Sequence, residues 1–565
     1  MFRSRSLAGA VVATLLATGC AAVPTSGPVE RHTPQATGVN SGVHVDPLPP
    51  ADGASQLLVV EGFLHAMSVY QPDYAVARQY LTASANRAWR PDSGVQVYAD
   101  GSPPTEYNQS VFLQAQVTGA LDAHGSYTPR LDSISHNFDL VKDTSGQWRI
   151  SNPPPGLLVS RYVFSTSFVA VNLHFLDTTG TVLVPDPRFF AAGDQALAAA
   201  VRAQLDGPSQ WLAPAVRTPE KGISVGSVSV DGTGTADVVL GGTADGLTVE
   251  QRRALLAAFA YTLDNFAQVS SVRVTASGQV WRDDLGQVLV SAQNYGQLSP
   301  VGSSTRVLFL VHDRKLERLR DPSAWNDFVA VQNGLTRPEQ IAVSADLTQL
   351  AATSQRGTRL ETGAPGSDKV KLVRTGTGLL RPMFARNGEL WSPAVSAPSA
   401  LQAFKGDQRV RLTVSGLPRV PVRAFALSPD GARVALVLRQ AGRDVVGLAR
   451  VERTEGATRV TGWRPVELAL TTGGSSSAVD LAWISETELG VLRTSDGQTS
   501  VVKVSEDGAS ATDIGPSETA AINRLAAVPG GTPVALGDSG TLYRFDGEFN
   551  WNAAVTGVDA AAYSG

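Results

Sequence analysis

Between Arg306 and Gly565 one short phrase returns again and again: a few apolar residues, a small or polar residue, a turn, then another apolar strand. It reads Ile341-Ala342-Val343-Ser344-Ala345-Asp346, Phe384-Ala385-Arg386-Asn387-Gly388, Phe425-Ala426-Leu427-Ser428-Pro429-Asp430-Gly431, Ala482-Trp483-Ile484-Ser485-Glu486 and Ala526-Ala527-Val528-Pro529-Gly530-Gly531. With Ser344, Ala385, Ser428, Ile484 and Val528 as equivalents, the repeats lie 41, 43, 56 and 44 residues apart. A period of roughly 40–50 residues in a region of strands and turns specifies an all-β propeller. The longer spacing is read as a polar insertion around Thr454 to Thr461. Val558 to Tyr563 has the character of an innermost strand but nothing follows to complete a blade, so Val307–Val311, Leu316–Leu319 and Phe328–Val331 are expected to supply the rest. Closing the ring with both ends of the region removes exposed sheet edges. Six blades are expected over 306–565, with five or seven as the alternatives.

Two α+β domains are expected before the propeller. In the first, over 56–160, Leu57, Val60, Phe63, Leu64, Met67, Ala75 and Tyr80-Leu81 fall at helical spacing around a break at Pro72. Alternation follows in Val111, Leu113, Ala115 and Val117, and the turn Thr144-Ser145-Gly146 leads into Trp148-Arg149-Ile150. Helices followed by such a meander resemble the NTF2-like cone fold. In the second, over 161–297, a helix from Gln195 to Leu205 stops at Asp206-Gly207-Pro208, because glycine accepts the cap conformation and proline cannot continue the helix. A hairpin through Asp231-Gly232-Thr233-Gly234 comes next, then a helix from Thr248 to Phe266 opened by a capping-box pair, Thr248 and Gln251, and a strand from Val272 to Ala276. ALAAAVRAQLDGP, the hairpin and AFAYTLDNFAQVSSVRVTASG together resemble a GerMN domain.

The N-terminus sets the address. Arg3 and Arg5 precede an apolar run from Leu7 to Leu16, too short for the roughly 20 residues that span a bilayer, and Gly19 precedes Cys20, the one cysteine of 565 residues. The segment resembles a bacterial lipoprotein signal, which implies removal of 1–19, cleavage between Gly19 and Cys20, and acylation (palmitate among the acyl groups) of Cys20. Residues 20–55 then form the lipidated cysteine and a tether expected to be disordered, rich in Pro, Gly, Ser and Thr. A durable anchor needs more than one acyl chain, at about 0.8 kcal/mol per buried CH₂. With one cysteine, no disulfide can form within the chain.

Hydrophobic residues make up 43% and charged residues 17%, a composition for a large folded body. The formal charge is −4, and loss of Arg3 and Arg5 makes it more negative; no basic stripe is present, so nucleic acid is not an expected partner. His32, His44, His65, His124, His136, His174 and His312 are scattered without metal-ligand spacing, and neither a metal nor a cofactor is expected. Gly222-Ile223-Ser224-Val225-Gly226 fits GxSxG, but a nucleophile elbow needs a helix after it and a strand, Val228 to Val230, follows; Ser224 is read as a strand residue. No catalytic residues are assigned. Where the innermost propeller strands begin, Glu339, Arg381, Arg423, Asp480, Arg524 and Asp559 are candidates for a mixed-charge docking ring, the alternative being a carboxylate pair for glycoside chemistry.

Lipobox, tether, the N-terminal domain with FLHAM and ARQYL, the GerMN-like domain and the degenerate propeller, in that order, resemble the LpqB lipoprotein family of actinobacteria along the whole chain. The resemblance implies a non-enzymatic accessory, lipid-anchored on the extracytoplasmic face of the cell membrane. It also implies binding to the extracytoplasmic domain of a sensor histidine kinase of the MtrA–MtrB two-component type, with effects on envelope homeostasis and division. Peptidoglycan is a second candidate ligand, and the alternative function is a cell-wall glycan binder or envelope hydrolase acting at the channel mouth.

Overall fold

The computed structural model describes residues 46–302, 306–466, 476–495, 497–515, 522–547 and 550–565. The signal, Cys20 and most of the tether lie outside the described residues. The end of the expected tether is not loose: Pro47 is buried, and the Tyr80 hydroxyl donates to the Leu48 carbonyl at 2.7 Å.

In the first domain Ser55 caps the helix Gln56–Ser68 by accepting the Leu58 N–H, and Val59, Val60, Phe63, Ala66 and Met67 form its buried stripe. The break falls at Pro72, where Asp73 and Tyr74 take left-handed backbone angles. Two short helices follow, Ala75–Gln79 and Ala83–Ala88. Gly62 lets Tyr80 lie against the first helix, since a Cβ there would stand 2.5 Å from the Tyr80 hydroxyl. The helical layer covers a five-stranded sheet in which Ser110–Leu121 is central and Val95–Tyr98 pairs parallel with Leu157–Ser160. Phe164, from the helix Arg161–Ser167, joins this core, so it extends beyond the expected boundary at 160.

In the second domain the Gln195–Asp206 and Val249–Leu263 helices share one core with Phe168–Leu176, Thr235–Gly242 and Ser271–Ala276. Thr248 and Gln251 form the expected capping box, and Gly207 ends the earlier helix at positive φ. Ser224 lies within the strand Ile223–Val230 and pairs with Gly241.

Among the described residues the C-terminal region forms six antiparallel-based sheets in a propeller-like ring. Their innermost strands are Val558–Tyr563, Gln340–Val343, Met383–Phe384, Val422–Leu427, Ser476–Trp483 and Ile522–Ala526. In the first sheet the C-terminal strand pairs with Leu308–His312, followed outward by Lys315–Leu319 and Phe328–Ala330, so the two ends of the region close the ring. Residues 454–461 are not an insertion. They form the turn and much of the outer strand of a long hairpin, Arg443–Thr454 with Ala457–Pro465, and Leu412–Val414 adds a parallel fifth strand outside it.

The described residues form one compact unit. Ala432, from the fourth sheet, sits in the core of the second domain, and Ala509, from the fifth, in the core of the first.

Candidate functional site

Five of the six inner strands, Met383–Phe384 excepted, carry a polar residue near their start and end in apolar residues, and this polarity divides the channel. At the polar end a cavity of about 750 Å³ is lined by Asp313, Arg314, Glu339, Asn523, Arg524, Asp538 and Asp559. At the other end a chamber of about 350 Å³ is lined by Met383, Phe384, Leu427, Trp483, Leu525 and Val528, among others. Arg381 stands on the wall of this chamber. Its guanidinium donates to the Leu525 carbonyl at 2.7 Å, the Leu481 carbonyl at 3.1 Å and Asp480 Oδ1 at 3.0 Å, while Asp480 Oδ2 accepts the Leu525 N–H at 2.8 Å. Arg524 and Leu525, neighbours in sequence, line the polar and apolar spaces respectively. The Arg381–Asp480 pair is therefore a crossbar at the level where the channel changes character.

The structure thus sorts the six candidate ring residues into three settings. Glu339, Arg524 and Asp559 line the polar vestibule, with both Glu339 oxygens accepting backbone N–H groups of the turn Arg356-Gly357. Arg381 and Asp480 form the crossbar, and the Asp480 side chain is only 7% exposed. Its two oxygens are engaged by the Arg381 guanidinium and the Leu525 N–H. Arg423 pairs instead with Asp444, shared with Arg439 in the same sheet. None of the described residues form a group of three or more His, Cys, Asp or Glu able to hold a metal ion.

A second polar site, absent from the sequence reading, lies where the propeller meets the second domain. Arg433 is fully buried between Asp430 and Glu506, donates to the Glu486 carbonyl at 3.0 Å, and stacks over Trp483 at 5.1 Å. Burial works against its charge, but the adjoining carboxylates outweigh it and hold the guanidinium protonated. Burial also pushes the Glu506 carboxyl up to about 7, against the opposing pull of Arg433 and Arg464, and raises Asp507 as well. From the second domain, Asn172 donates to Glu486 at 2.6 Å and the Trp211 indole to the Gly462 carbonyl at 2.6 Å; Arg464 lies 3.8 Å over the Trp211 ring. The signal in the sequence was a lone arginine in the apolar run Ala432-Arg433-Val434-Ala435-Leu436.

Among the described residues no helix is long and apolar enough to cross a membrane. Three family models match: the lipoprotein LpqB N-terminal domain over 49–165, a domain described as sporulation and spore germination over 172–280, and the lipoprotein LpqB beta-propeller domain over 327–562. Among solved structures the chain is similar to TolB from Acinetobacter baumannii at 15% identity and a TM-score of 0.34, over 57% of this chain and 86% of that one. Lipoprotein LpqB of Streptomyces coelicolor is 26% identical, over 100% of this chain and 98% of its own. Lipoprotein LpqB of Cutibacterium acnes is 32% identical, over 97% of both chains. With that relationship running from end to end through all three domains, the chain belongs to the LpqB lipoprotein family.

Proposed function

We propose that this lipoprotein is a non-enzymatic accessory of a sensor histidine kinase of the MtrA–MtrB type. In this reading it is anchored through lipid on Cys20 at the extracytoplasmic face and acts on envelope homeostasis and division. The observation that carries the docking role is the open, mixed-charge vestibule. Glu339, Arg524 and Asp559 stand at its wall with Asp313, Arg314 and Asp538, where charge of both signs fixes register and suppresses wrong partners. Pull-down of the mature protein with the kinase's extracytoplasmic domain tests it. Binding is expected, weakened at least tenfold by the combined charge reversal Glu339→Arg, Arg524→Glu and Asp559→Arg; failure of the intact protein to bind overturns it.

The vestibule's size and polarity also support a second reading, binding of cell-wall glycan. Purified peptidoglycan would then retain the protein, Asp559→Ala would release it, and the mature protein would need no kinase to be captured. Retention that Asp559→Ala leaves unchanged would exclude the vestibule as the glycan site.

A further inference from the structure

The apolar chamber at the far end of the channel has chemistry that the docking role does not use. We infer that it binds a single-chain amphiphile with an anionic head, the acyl chain filling the chamber and the head meeting Arg386. Three observations place this ligand. On the chamber wall the Arg381 guanidinium is tied to Asp480 and to the Leu481 and Leu525 carbonyls, so its hydrogen-bonding groups are already engaged and the space beside it is left to an apolar chain. Its wall is apolar and includes Met383, whose unbranched thioether adapts to varied shapes, beside Phe384, Leu427 and Trp483. Its volume of about 350 Å³ falls at the small end of ligand pockets, a size for one short chain.

Arg386 selects the charge. Arg386 lines the chamber, yet its guanidinium is held by carbonyls only, Ser299 at 2.5 Å and Gln297 at 2.8 Å, and no described carboxylate forms an ion pair with it. Arg381 is already matched by Asp480. The carboxylate at the rim, Asp346, is occupied by its own turn, accepting from the Ser344 and Thr348 hydroxyls and the Thr348 N–H. A partly desolvated cation beside an apolar wall is stabilised by an anion carrying an apolar tail.

Isothermal titration of the full chain carrying Cys20→Ser, so that no acyl group of its own competes, tests this with decanoate and decyltrimethylammonium below their aggregation thresholds. Decanoate is expected to bind one per chain, at least tenfold more tightly than the cationic amphiphile. Arg386→Gln should weaken decanoate at least tenfold without weakening the cation. Because that variant could also loosen the segment held by Arg386, Ala527→Phe provides the second arm: it fills the chamber and should weaken both ligands tenfold, with circular dichroism unchanged. No saturable decanoate binding, equal affinity for the two amphiphiles, or binding indifferent to Ala527→Phe would each overturn the assignment.

Discussion

Arg433 joins two neighbouring sheets of the propeller where they meet the second domain, whose Pro185 carbonyl accepts from it at 3.5 Å, and removing it should be costly. With Asp430 and Glu506 both buried against it, truncation leaves Asp430 without its partner and Glu506 with only the more distant Arg464, a loss of about 3–5 kcal/mol. Arg433→Met should therefore lower the denaturation midpoint sharply, and hydrogen exchange should show the loss at the faces of the second domain and propeller. Glu506 adds a pH dependence. Its folded value of about 7 lies above the ordinary 4.5, so folding takes up a proton between those limits. The associated stability is fully present below about 4.5 and is lost as pH rises through 7, on the order of 3 kcal/mol. Stability measured from pH 5 to 8 should fall more steeply in the wild-type chain than in Glu506→Gln; parallel curves would refute the assignment. Neither residue could be placed from sequence, because Arg433 and Glu506 are 73 residues apart and meet only when neighbouring sheets pack. For the same reason Arg381 and Asp480, 99 residues apart, read from sequence as two separate ring positions and in the structure are hydrogen-bonded partners.

The closing strand offers the test at the level of elements. Val558–Tyr563 pairs along Leu308–His312, and Ala560 and Ala562 pack with Phe309 and Val311 in one cluster with Ile341 and Val343 of the next sheet. A chain ending at Gly557 should expose the edge of Leu308–His312, lose the cooperative transition of the propeller and aggregate on warming, as light scattering would show. A synthetic peptide spanning residues 556–565 should restore the transition; an unchanged melting temperature in the truncated chain would contradict closure by this strand. The closure was legible because an apolar strand without successors at one end matched three strands lacking an innermost partner at the other. Alternation and turn residues likewise announced the hairpin through Asp231 to Gly234, whose Asp231 carboxylate accepts the Thr233 and Thr235 N–H groups. What local pattern could not supply was the long outer hairpin from Arg443 to Pro465. Its polar residues resemble an insertion, but the alternation of a half-exposed outer strand produces the same composition. The parallel strand Leu412–Val414 depends on that hairpin and was hidden with it.

At the scale of the molecule, three domains that interlock through Ala432, Ala509 and the Arg433 network present their surfaces as a unit, so the position of that unit matters more than flexibility among its parts. In the proposed role, lipid on Cys20 confines the vestibule near a membrane-embedded kinase and converts a weak bimolecular encounter into one governed by local concentration. For short tethers this reaches the millimolar range and can strengthen binding by roughly 10²–10⁴ without a new contact. Cys20→Ser should leave circular dichroism and the melting transition unchanged, because the cores of the described residues are built from Val59 onward. Its effect should appear only in the cell: at native abundance the unacylated protein should fail to restore envelope and division phenotypes in a deletion strain, while the wild-type chain succeeds. Overproduction separates concentration from chemistry. If the lipid acts as an anchor, raising the unacylated protein by two to four orders of magnitude should recover part of the phenotype, and fusing it to an unrelated membrane-spanning helix of the same orientation should recover it at native abundance. Full activity of the unacylated protein at native abundance would refute the anchoring argument, as would failure of the helix-anchored form.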